Sequence, residues 1–121
     1  MNKFRILLKL FFLYSLLCSS LSFANSNMQI EINHLLNYVG TSDCIFIRNG
    51  SEHDADNALK HIQKKYKHFQ SDINSTEEFI ELSATKSMLS RKLYFIKCGD
   101  TAPVSSQEWL LEELARYRNK K

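Results

Sequence analysis

Cys44-Ile45-Phe46-Ile47-Arg48-Asn49-Gly50 is the stretch that sets the architecture of this chain. Its central residues, Ile45, Phe46 and Ile47, are aromatic or β-branched, which favours an extended strand over Cys44 to Arg48. Asn-Gly then accepts the two left-handed conformations of a tight hairpin turn, so the chain should reverse at Asn49 and Gly50. The return segment, Ser51 to His53, is polar and brief. A second strand pattern lies downstream in Leu93-Tyr94-Phe95-Ile96-Lys97-Cys98. Alternation places Cys44, Phe46 and Arg48 on one face of the first strand, and Tyr94, Ile96 and Cys98 on one face of the second. If the two pair antiparallel, Cys44 and Cys98 come within the Cα separation that a disulfide requires.

Helical patterns flank these strands. Met28, Ile32, Leu35, Leu36 and Val39 form a stripe that predicts a helix over Asn27 to Tyr38, with Gly40 as a left-handed terminator. Asp54 can cap a second helix whose Ala55, Ala58, Leu59, Ile62, Tyr66 and Phe69 share a face. Its acidic start and basic end suit the helix dipole. Ser75-Thr76-Glu77-Glu78 reads as a capping box before a third helix anchored by Phe79 and Ile80. Ser105-Ser106-Gln107-Glu108 opens the last helix, which should bury Trp109, Leu110, Leu114 and Tyr117, while the tail from Arg118 frays. The expected class is α+β: a two- to three-stranded antiparallel sheet packed against three or four helices.

Residues 1–24 read as a secretory signal peptide. Lys3, Arg5 and Lys9 precede a Leu- and Phe-rich run to Leu17, and Ser22-Phe23-Ala24 offers a small-x-small cleavage site. Cleavage after Ala24 leaves residues 25–121 as one small domain in the periplasm, with release from the cell as the alternative. All 13 acidic residues but only 13 of the 16 basic ones lie beyond the leader, so the domain is near neutral and a nucleic-acid partner loses its electrostatic basis. Cys18 departs with the leader, and a Cys44–Cys98 bridge is expected in an oxidising compartment; two separate buried thiols are the competing reading.

Phe46-x-Arg48-Asn49-Gly50, Ala58-x-x-His61-Ile62 with Lys65, Thr76-Glu77-Glu78-Phe79-Ile80 and the Ser87-to-Tyr94 segment resemble an uncharacterised family of small exported proteins of Gram-negative bacteria, the YfeK-like proteins. The resemblance spans about Ile32 to Tyr117, with Leu93 departing from the Pro of the family pattern. It implies export and a shared fold, and carries no activity.

Candidate chemistry centres on Arg48, Asn49, Gly50, His53 and His61. Glu52 belongs to the same polar cluster, and an Arg at a strand end beside a His and a carboxylate can bind an anionic group or assist proton transfer; the plainer reading has Arg48 paired with a nearby carboxylate. Arg48, His53 and Ser90 are the residues a small hydrolase would use, but Ser90 lacks a nucleophile motif. His61 and His68 are seven apart, too far for one metal, so no cofactor is implied; a metal would need His53 or Asp54 to complete a site with His61, and an anion- or metal-binding module on the helix over 55–69 is the alternative. Lys60, Lys64, Lys65 and Lys67 give the helix over residues 55–69 a positive outer surface, suited to an anionic glycan or lipid head group. The leading expectation is a non-enzymatic binding module of the envelope, engaging an envelope protein or such an anion.

Overall fold

The hairpin forms where Asn-Gly directs it. Strands β1 (Ile45–Arg48) and β2 (Ser51–His53) pair antiparallel around Asn49 and Gly50, whose φ values of 52° and 79° are both left-handed. The computed structural model describes residues 26–120, so the leader reading lies outside the described residues. Helix α1 covers 26–40 and runs to Gly40 without the left-handed terminator expected there; the positive-φ glycines are Gly50 and Gly99. Gly40 matters for space instead. A Cβ there would lie 2.9 Å from Leu59 Cδ2, so the missing side chain lets the next helix approach.

That helix, α2 (Ala55–Phe69), is capped by Asp54, whose carboxylate accepts from Asn57 N at 2.9 Å. Helix α3 (Thr76–Ala84) is capped by Ser75 in the same manner, and α4 (Ser106–Asn119) by Ser105. Each cap satisfies an otherwise orphaned N–H and fixes the helix start. A short 3₁₀ turn, Gln70–Asp72, joins α2 to the segment before α3.

Strand β3 (Phe95–Lys97) pairs antiparallel with β1, and a two-residue strand, β4 (Val104–Ser105), pairs with β3. The sheet therefore has four strands in the order β2-β1-β3-β4, one or two more than expected. The additions are the polar Ser51–His53 and the brief Val104–Ser105, which carry little hydrophobic signal. Phe46 and Ile96, opposite one another, are buried against the helices, whereas Ile45, Phe95 and Lys97 face outward. Trp109 of α4 ties the layers together: its ring stacks on Tyr38 of α1 (4.3 Å) and meets Phe46 edge-on (5.8 Å).

The end of α4 is anchored rather than frayed. Arg118 donates to the buried Glu31 at 2.7 and 3.0 Å and also pairs with Glu77, while Glu31 accepts from Thr76 Oγ1 at 2.6 Å. One carboxylate thus joins α1, α3 and α4. Among the described residues, no helix is long and apolar enough to cross a membrane.

Candidate functional site

The β1–β3 register builds the site. Ile45 faces Lys97, Phe46 faces Ile96 and Ile47 faces Phe95. One step outward at one end brings Cys44 opposite Cys98, and these form a disulfide with a Cα separation of 4.4 Å. One step outward at the other end brings Arg48 opposite Tyr94 on the same inner face. His53, paired with Phe46, shares that face. Two candidate residues, Arg48 and His53, therefore come together with Tyr94 because the strand period is two.

Helix α2 closes over them. Arg48, His53, His61 and Tyr94 line a narrow cleft of about 30 Å³ floored by Phe46 and Ile62, a volume that admits one or two water-sized groups. His61 and Tyr94 also line a wider groove of about 380 Å³, bounded by Lys64, Lys65 and His68 on α2 and by Ser87, Met88 and Leu89 on the loop opposite.

Lys65 is the residue whose role the sequence hid. It was expected on the positive outer surface of α2, but it is buried beside Tyr94, with Nζ donating to the Lys86 carbonyl at 2.6 Å and to Tyr94 Oη at 3.4 Å. The ammonium also sits 5.0 Å from the Tyr94 ring centroid, a cation–π placement. The available signal was its position: Ala58, Ile62 and Lys65 fall on one helical stripe, and all three are buried.

Tyr94 Oη lies 3.0 Å from His61 Nε2. Because Lys65 can only donate, the consistent assignment has Lys65 donating to Tyr94 and Tyr94 donating to a neutral His61 Nε2. Electrostatics agree. Burial first, and then the positive charges of Arg48, Lys65, His53 and Lys64, hold His61 down to about 4. Burial and then Arg48 lower Lys65, while burial raises Tyr94 against an opposing pull from Arg48. The charges that drive these shifts are cationic.

Arg48 does not pair with a carboxylate. Among the described residues, the acids within ion-pair distance of a base are Glu31, Glu77 and Glu113, which serve His34, Arg116 and Arg118 on the α1–α3–α4 side. Asn49 and Gly50 shape the turn and leave Arg48 at the cleft. Ser90 stands apart: its hydroxyl is exposed and donates to Asn49 Oδ1 at 2.6 Å, an amide oxygen that cannot take its proton in catalysis. His68 is exposed on α2, and among the described residues no three His, Cys, Asp or Glu side chains converge to hold a metal.

An α+β domain with a disulfide-closed sheet and a cationic cleft beneath its hairpin is thus defined. The chain belongs to a family of unknown function, DUF5329, whose model matches residues 26–118. It is similar to the uncharacterised protein YfeK of Salmonella typhimurium strain LT2, with 31% identity over 71 residues. That match covers 58% of this chain and 59% of YfeK, so the chain spans under two thirds of that relative's length. No solved structure matches the chain.

Proposed function

We propose that the protein is a non-enzymatic binding module of the cell envelope, and that an anionic group is received where the cleft bearing Arg48 and the groove bearing Lys65 adjoin, at His61 and Tyr94. One observation carries this reading: the buried Lys65 ammonium feels the charge of the Arg48 guanidinium, and among the described residues neither stands within ion-pair distance of a carboxylate. Like charges in a partly desolvated site raise each other's cost, and an anion offsets that cost directly. Arg48 offers a planar fork for a phosphate, sulfate or carboxylate, and His61 stays neutral beside it. A periplasmic location is supported by the leader pattern and by the Cys44–Cys98 bridge, since such bonds persist in oxidising compartments.

The test is thermal unfolding with inorganic phosphate against chloride at matched ionic strength. At ten times its dissociation constant, phosphate should stabilise by about 1.4 kcal/mol, or roughly 6–10 °C in Tm for a domain of this size. Arg48→Met should abolish the increment while preserving the fold. An unchanged Tm in up to 100 mM phosphate, sulfate or acetate (roughly the weakest affinity worth calling a site) refutes the proposal.

A further inference from the structure

The loop between α3 and β3 is tightly built, yet it displays its most apolar residues to solvent. Ser87 N donates to the Lys92 carbonyl and Arg91 N to the Ser87 carbonyl, both at 3.0 Å, while Ser90 N reaches Ser87 Oγ at 3.3 Å. Lys86 and Leu93 close the base as an antiparallel bridge. From outside the loop, Asn49 at the hairpin tip accepts from Ser90 Oγ. On this held backbone Met88 and Leu89 stand side by side, 59% and 98% exposed. Their exposure is a property of an ordered loop, since the backbone beneath them is hydrogen-bonded at both its base and its flank.

The surroundings of that pair are basic. Lys64, Lys65 and His68 line the groove on one side of Met88 and Leu89. Lys86 and Arg91 line the groove on the other side of Met88, where Glu81 is the acid among the lining residues. Lys60 and Lys64 are exposed one turn apart on α2. An apolar tip ringed by cations is complementary to an anionic bilayer: the tip enters the boundary between head groups and acyl chains, and the lysines and arginine meet the phosphates.

We propose that the 86–92 loop docks the protein on an anionic lipid surface, with Leu89 and Met88 inserting and Lys64, Lys86 and Arg91 contacting head groups. This goes beyond the cleft reading and stands without it, because Arg48 takes no part in the docking contacts. A neutral bilayer would offer the apolar tip a site but leave the basic ring desolvated without partners, so charge selects the lipid.

The experiment is co-sedimentation of the protein, in the form that cells accumulate, with vesicles of phosphatidylglycerol or of phosphatidylcholine. Binding should favour phosphatidylglycerol and weaken as salt rises from 50 to 500 mM. Leu89→Ser should lower it roughly tenfold or more, and Lys64→Gln or Arg91→Gln roughly fivefold each. All three positions are exposed, so their variants should fold, which the unchanged Tm verifies. Arg48→Met should leave vesicle binding intact. Equal binding to both lipids, no binding to phosphatidylglycerol, or full binding by L89S overturns the proposal. So does a concentration-dependent dimer that L89S dissolves, which would make a second copy the occupant. Loss of vesicle binding in R48M with retention in L89S would overturn the loop's role while leaving the cleft reading standing.

Discussion

Replacing both bridged cysteines by serine, C44S/C98S, removes a crosslink spanning 54 residues of sequence. In the chain-entropy model a closed loop of that length restricts the unfolded ensemble by about 4 kcal/mol. A domain of roughly 100 residues loses about 4–8 °C of Tm for each kcal/mol, so the variant should melt about 15–30 °C lower than the oxidised protein. Urea unfolding monitored by Trp109 fluorescence and by circular dichroism should give coincident transitions with a lower midpoint. Reducing the wild-type protein with a thiol reagent separates the crosslink from the side-chain change, and should reproduce the variant's Tm within a few degrees. The remaining β1–β3 pairs, Ile45–Lys97, Phe46–Ile96 and Ile47–Phe95, still hold the sheet, so both forms should fold in the cold. A Tm loss under about 5 °C in both experiments would refute the reasoning, since the crosslink would then close no loop that the unfolded chain leaves open.

Two further outcomes follow from buried ionisable groups. His61 has its folded value lowered to about 4 from 6.5, so the unfolded chain binds more protons between those limits. Stability should therefore be complete above pH 6.5 and decline as pH falls to 4, by about 1–2 kcal/mol once partial solvent access is allowed for; His61→Gln should flatten that segment of the pH profile, and an unaltered slope would contradict the assignment. Glu31→Ala removes the acceptor of Arg118 and of the buried Thr76 hydroxyl, and should cost about 2–3 kcal/mol in urea unfolding; a cost below about 0.5 kcal/mol would show that the anchoring of α4 contributes nothing.

Local chemistry made much of this molecule legible in its sequence. The Asn49–Gly50 reversal, the caps at Asp54, Ser75 and Ser105, and the alternation that carries Cys44 to Cys98 each depend on a handful of adjacent residues. The misreadings share a non-local cause. Lys65 looks like one member of a solvated basic run until α2 is laid against Tyr94, 29 residues away. Arg118 looks like part of a loose tail until Glu31, 87 residues away, accepts its guanidinium. Gly40 looks like a terminator until Leu59 is seen crowding it. The short β4 has too few residues to show a period and exists because β3 offers it an edge. Arg48 and His61 can be named from sequence, but that the ion-paired acids among the described residues lie on the α1–α3–α4 side emerges only from the folded chain.

The disulfide also acts as an indexing peg for the cleft. Arg48 lies four positions after Cys44, an even offset, so both project from the same side of the strand. A single residue inserted between them would keep the crosslink and turn the guanidinium outward, emptying the cleft of its fork. An odd length change placed after Phe46 should therefore abolish the proposed anion binding, while the crosslink and the buried Phe46 keep their places.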